Sequence, residues 1–542
     1  MSIINSMKIK KMNLKFYKLF ILIAFFTTNI SAQTVITDSD LVGGQTYTWT
    51  SDTEYLLDGY VYLEAGGVLN IEPGTVVRAK SSGSNGDATS ALIIARDAEI
   101  NAVGTVDNPI IFTGEFDDLS ITLDFTATDN KTWGGIIILG NAPIGEDGGE
   151  DSIEGITSEN EPRVLYGGND PADNSGTIKY VSLRHGGNEI AADNEINGLT
   201  LGGVGNGTEI DYIEVFANSD DGIEIFGGTV NITHAVVAFQ GDDAFDVDES
   251  WDGFIQYAFS IQQDISDQIG DNAVEYDGSE RTDLGPKTVG RIYNGTFIGS
   301  GSAGNSNGLR LKSDGAVQFW NSVWTEIQGG VFRVQDTSID RLIAGETVFA
   351  NNIVFDYGSL EIDPDNAFAI TGFEEINPEI ASISRMPNNQ LDPRPATSAS
   401  PLLSNAATPT EAGVEITSFR GAFSDNLWLE GWTALDAYEY LGDISTSTVD
   451  FGESKEGVVL STAIPNPATD EARFNFSLPA ASLINVQITD LNGRIVANRS
   501  LGQVGAGENS FNLNVSNIAN GFYIIALQTK DGIVTQKFTV QK

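Results

Sequence analysis

The residues best placed to do chemistry are carboxylates. Two stretches, DDGIEIFGG from Asp220 and DDAFDVDES from Asp242, carry paired acids in one frame: two acids, a small residue, then apolar, acid, apolar. Gathered carboxylates can transfer protons, or they can supply the hard oxygen ligands that calcium prefers. Other common site chemistries are scarce. The chain has no cysteine, which excludes disulfides, thiolate metal sites and a lipid-anchored cysteine. A zinc enzyme or a Ser-His-Asp site would have to use His185 or His234, and both lie in strand-like segments (VSLRHGG and VNITHAVVAF) that read as ordinary packed or exposed positions. Acids outnumber bases 75 to 29, for a net charge of −46, so the basic footprint that nucleic acid requires is missing. A calcium-rich or saline exterior suits such a surface.

Carboxylates act together only if a scaffold brings them together, and the spacing supplies one. Aligned on the small residue, the chain repeats as NGLTL at Asn197, DGIEI at Asp221, DAFDV at Asp243, NAVEY at Asn272, NGLRL at Asn307 and GVFRV at Gly330, in steps of 24, 22, 29, 35 and 23 residues. A near-constant repeat with loops inserted at one point marks a solenoid. Period-two apolar patterning and glycine or Asx turns make it a β solenoid. The fold class is therefore all-β, a right-handed parallel β-helix, with coils stacked at roughly 4.8 Å. In that fold Leu199, Ile223, Phe245, Val274, Leu309 and Phe332 form one inward column and Leu201, Ile225, Val247, Tyr276, Leu311 and Val334 a second. Asn197, Asp221, Asp243, Asn272 and Asn307 form a polar ladder at the corner, bonding side chain to backbone between coils.

Between the two inward columns stand Thr200, Glu224, Asp246, Glu275, Arg310 and Arg333, which point outward on neighbouring coils. Asp248 and Glu249 enlarge the acidic end, and Lys312 the basic end. Like charges on stacked strands repel. Either water screens them on a solvated face, or a cation binds at Glu224, Asp246, Asp248 and Glu275. A linear groove of this kind also suits a polymer such as a polysaccharide.

The remaining segments bracket this solenoid. Lysines 8, 10, 11, 15 and 18, the apolar run LFILIAFF and the small residues of ISAQ read as a signal peptide over residues 1–32. No later run is long enough to span a membrane, so none is expected in the mature protein. The β-helix is expected over 33–441, beginning with coils in Tyr47–Glu115 and ending in a proline- and serine-rich strap (Asp392–Pro409) that runs over the open end. Trp428 and Trp432 are expected to plug that end, stacking on sugar being the other use of such rings. Residues 442–457 are polar and aperiodic, a linker, and 458–542 a small β-sandwich.

Several motifs resemble known families. VLNIEPGTVVRA, WGGIIILGNAPI, NGLTLGGVGNGTEIDYIEV, DDGIEIFGGTVN, RGAF and GWT together resemble secreted right-handed β-helix proteins of Bacteroidota. The chain also resembles polygalacturonase-type glycoside hydrolases: SDDG places Asp221, GDDA places Asp242 and Asp243, and RLK places Arg310 and Lys312 at family motifs, while the family's histidine motif has no counterpart in GDNAVEYDG. That resemblance implies hydrolysis through these residues, and a lyase would draw on Glu224, Asp246 and Arg310. IPNP, LNGRIV, NGFYII and KFTVQK resemble the type A sorting domain read by the type IX secretion system. It implies that 458–542 engages the secretion machinery and that the protein is released or held at the outer-membrane surface. Two functions stay open: a glycan-binding or surface-structural protein, with calcium as the only implied cofactor, and a polysaccharide hydrolase or lyase.

Overall fold

The computed structural model describes residues 33–542 except 157, 192–193, 265–269, 280–286, 302–303, 305, 361–369, 443–458, 461–462, 464, 491–494, 517 and 530–531. The expected signal peptide (1–32) and nearly all of the expected linker (442–457) lie outside the described residues. Contacts divide the chain into two compact units, one ending at Ser445 and the next beginning at Thr446.

The first unit is a parallel β-helix. Among the described residues one face is a nine-stranded parallel sheet whose successive strands include Tyr60–Leu63, Ala91–Ile94, Ile136–Leu139, Leu199–Gly202, Ile223–Phe226, Phe245–Asp248, Asn272–Asp277, Asn307–Lys312 and Phe332–Val334. An eighteen-stranded sheet supplies the other faces. The register places Leu199, Ile223, Phe245, Val274, Leu309 and Phe332 opposite one another, and likewise Leu201, Ile225, Val247, Tyr276, Leu311 and Val334. Both columns are buried in one continuous core, so apolar burial repeated coil by coil is the main stabilising contribution.

The small residue of the repeat has a steric cause. A Cβ on Gly198 would lie 2.3 Å from Val215 Cγ1, and one on Gly222 2.3 Å from Val237 Cγ1 and 2.7 Å from the Ala244 carbonyl oxygen. The chain turns the corner so close to the core that a larger residue does not fit at either coil.

Two segments cover the outside. The first is a hairpin between coils, with Asp151–Ser152 antiparallel to Leu165–Tyr166. Its Ile144, Ile153, Val164 and Tyr166 pack on Tyr62, Ile93, Ile137, Leu139 and Phe226, the outward apolar side chains of the early coils. The second is the segment from Ala422 to Leu441. In it Trp428 and Trp432 do not plug the open end as expected: Trp428 packs edge-on against Tyr212 and His234, and Trp432 against Tyr180 and Tyr212, along the side of the helix. The reason lies in the coils, where Phe216, Val236, Ala238, Phe259 and Ile261 present apolar surface outward and this segment buries it.

The second unit is a sandwich of a three-stranded and a four-stranded antiparallel sheet. Alternating residues of Glu471–Leu478, Ser482–Asp490, Gly507–Asn514 and Gly521–Thr529 fill its separate core.

Candidate functional site

The carboxylates fall into two columns on the same coils. The corner column is a ladder in which each side chain accepts from the backbone of the next coil. Asn197 Oδ1 accepts from the Asp221 N–H (3.2 Å), Asp221 Oδ1 from the Asp243 N–H (2.8 Å) and Asp243 Oδ1 from both the Asn272 N–H (2.6 Å) and the Asn272 side-chain amide (2.9 Å). The ladder then changes hands. The Asn307 N–H donates to the Asp271 carbonyl, the Asn307 amide donates to Asp271 Oδ1 (3.0 Å), and Asn307 Oδ1 accepts from the Gly330 N–H (3.2 Å).

The face column holds the register expected of it, with Thr200, Glu224, Asp246, Glu275, Arg310 and Arg333 on consecutive strands. Its acids are not, however, a solvated face: Glu224 is 5% and Glu275 8% exposed. Asp246 keeps some exposure as a residue, yet its Oδ1 is sealed from solvent and makes no hydrogen bond. Burial, reinforced by neighbouring carboxylates, pushes Asp221, Glu224, Asp243 and Asp246 well above the usual carboxylate range. Burial and crowding thus favour the protonated forms of these groups.

Three groups of acids bring one oxygen each to within 4.8 Å of one another: Asp221, Glu224 and Asp246; Asp220, Asp221 and Asp242; and Asp242, Asp243 and Asp271. The residues expected to bind a cation are only partly brought together. Glu224 and Asp246 gather with Asp221, whereas Glu275 is drawn to Arg310 Nη1 (3.0 Å) and Lys312 Nζ (2.6 Å). Asp248 stands in the adjoining column, in register with Phe226. Asp220 and Asp271 were not singled out by sequence. Each directly precedes a ladder residue, as Asp242 does, and that recurrence was the available signal.

At the basic end Lys312 also pairs with Asp277 (2.9 Å). Burial works against the charge of Lys312 but is outweighed by its bonds to Glu275 and Asp277, so its pKa rises. Asp277 stays raised by burial in spite of that partner. Arg310 and Lys312 are thus engaged by Glu275, and among the described residues the Arg333 side chain makes no hydrogen bond or ion pair. Neither histidine joins this face. His185 is buried, with Nδ1 at 2.5 Å from the Asp129 carbonyl oxygen, and burial lowers its pKa to about 4. His234 stacks between Tyr212 and Tyr257, with Nδ1 2.8 Å from Asp211 Oδ1.

Two family models match the chain. One, described as a pectate-lyase like beta helix domain, covers residues 42–385 and includes every residue of the two columns. The other, described as a secretion system C-terminal sorting domain, covers 462–541. No curated protein matches.

Proposed function

The chain belongs to the pectate-lyase-like β-helix domain family and is exported by its type IX sorting domain to the cell surface or beyond; from that premise we propose that the charged face of the nine-stranded sheet binds calcium and, beside it, an extended glycan. The observation that carries this reading is the Asp221, Glu224 and Asp246 triple, three gathered carboxyls of which two are buried and one partly so, with no cationic side chain among them and one sealed, unbonded oxygen at Asp246. The donor set fits calcium. It is all oxygen, it comes from a nearly flat column that suits a large and irregular coordination shell, and it offers no nitrogen or sulfur to favour a softer metal. Calcium would replace the protons these acids otherwise hold and would present an open coordination position along the groove. Arg333, whose side chain has no partner among the described residues, supports the far end as the place where a polar or acidic sugar group is met.

A second reading, cleavage of the glycan, is supported by Asp221 and Asp243, whose protonated carboxyls could serve as general acids next to the exposed Asp242. It counts against that reading that both carboxyls already accept backbone N–H groups and that Arg310 and Lys312 are paired with Glu275.

The test is a thermal melt of the protein with calcium, with magnesium and with chelator, followed by glycan arrays under the same conditions. Ligand that binds only the native state stabilises it by about 2.7 kcal/mol at a hundredfold excess over Kd. Calcium should raise the melting temperature, magnesium should raise it less, and glycan binding should require calcium. Superimposable melts in calcium and chelator would remove the cation reading. Release of reducing or unsaturated ends, abolished by Asp242→Asn, would favour cleavage.

A further inference from the structure

Outside the acid columns, on the eighteen-stranded sheet, lies a cavity of about 240 Å³. One side is formed by Ile111 and Arg184, which belong to the strands Ile110–Gly114 and Gly176–Arg184. Residues 119–122 and 431–438 close over it, so that Pro109, Leu119, Ile121 and Trp432 make apolar walls. Ile121 is 53% exposed and stands at the mouth. Pockets for drug-sized ligands run to roughly 300–1,000 Å³, so this one suits a smaller molecule.

The lining carries one cationic side chain, Arg184, and that residue is only 1% exposed. Its Nε donates to Ser182 Oγ at 2.8 Å, and its guanidinium carbon lies 5.2 Å from the centre of the Tyr438 ring. Neither contact brings a negative charge. The neighbouring acids are spent on other donors: Glu214 accepts from the Ser182 hydroxyl at 2.5 Å and from the N–H groups of Ala434 and Leu435 at 2.6 and 3.3 Å, and Asp117 accepts from the hydroxyls of Thr113 and Tyr438 at 2.7 and 3.3 Å. Among the described residues Arg184 forms no ion pair. A charge held out of water without a counter-ion is costly, and a cavity at its side is where one can enter. Asp436, which also lines the cavity and accepts the Gly431 N–H at 2.8 Å, weighs against a polyanion. A single negative charge on an apolar body fits both walls.

We infer that this cavity is a binding site for a small monocarboxylate with an apolar body, whose carboxylate meets the Arg184 guanidinium while the body packs against Ile111, Leu119, Ile121 and Trp432. A guanidinium and a carboxylate make paired, charge-assisted hydrogen bonds, and these strengthen where water is scarce. The apolar body adds its own burial. The site stands on a different sheet from the Asp221, Glu224 and Asp246 triple and uses none of its residues, so neither reading rests on the other.

The test is calorimetric titration of the full chain with phenylacetate and with its neutral isostere phenylacetamide. Phenylacetate should bind saturably and phenylacetamide about tenfold or more weakly, because only the acid supplies the missing charge. Arg184→Gln should remove that preference and leave the two probes with equal, weak affinity. Should that buried substitution fail to fold, Ile121→Trp, at an exposed position, fills the mouth and should abolish binding without lowering the melting temperature. The proposal is overturned by equal affinities in the wild type, by a preference that survives Arg184→Gln, by binding unchanged in Ile121→Trp, or by the absence of saturable phenylacetate binding at millimolar concentration.

Discussion

Two columns of acids climb the same coils a few residues apart, and the protein uses them in opposite ways. In the ladder, Asp221 and Asp243 give an oxygen to the backbone of the next coil. In the face, Glu224 takes the Asn197 amide and Asp246 keeps an oxygen with no partner at all. The side-chain chemistry is the same, and what differs is whether the neighbouring coil presents an N–H. At the corner the backbone turns and exposes one to each side chain. On the strand every N–H is already committed to the parallel sheet. A ladder acid is therefore replaceable by asparagine, as Asn197 and Asn307 show by accepting at the same position. A face acid is not replaceable if its charge is what binds.

That contrast can be broken or sharpened by substitution. The largest effect is expected where the ladder meets the core. Gly222→Val sets a branched side chain where even a Cβ lies 2.3 Å from Val237 Cγ1, and it should cost about 3 kcal/mol or more, read as loss of the cooperative melt. Next, Asp243→Leu leaves the buried Asn272 N–H without its acceptor, while the Asn272 amide keeps Asp271 and Glu275, and should cost roughly 1–3 kcal/mol in denaturant unfolding. Asp243→Asn keeps an acceptor and should lie within about 1 kcal/mol of the wild type. Equal losses in the two variants would mean that the charge, not the acceptor, is what the ladder uses. In the face the sign reverses. Asp246→Asn removes one of several crowded carboxyls whose ionisation burial opposes and should stabilise the calcium-free protein near neutral pH, read as a higher midpoint of unfolding.

The smallest expected effect is a slope. Because the folded pKa values of Asp221, Glu224, Asp243 and Asp246 are raised, the native state binds more protons than the unfolded chain. Calcium-free stability should therefore fall as pH climbs from the ordinary carboxylate range through those raised values, and saturating calcium should flatten the fall.

Much of this was legible before the structure, for a physical reason. Stacking forces each coil to return to the same corner, so the ladder and the two core columns had to recur at near-constant spacing, and the register followed residue by residue. The outward face was legible as a column but not as a buried one. Its neighbour Tyr166 arrives from a hairpin inserted before the repeat becomes regular, and nothing in its local pattern says where it lands. The two tryptophans were misplaced for the same reason. Trp428 and Trp432 fit an open end as well as a side, and the choice was made by outward apolar residues such as Phe216 and Phe259, which read in sequence as part of the strand alternation. The neutralisation of Glu275 depended on two cations, Arg310 and Lys312, reaching back one coil, a matter of side-chain direction that spacing does not encode.

The central claim, that the Asp221, Glu224 and Asp246 triple takes a cation in place of protons, is tested most directly by calorimetric calcium titration near neutral pH in two buffers of different ionisation enthalpy. Calcium should bind with release of protons, seen as a buffer-dependent heat, and Asp246→Asn should weaken the binding and reduce the proton release together. Binding without proton release, or binding unchanged in Asp246→Asn, would contradict the account.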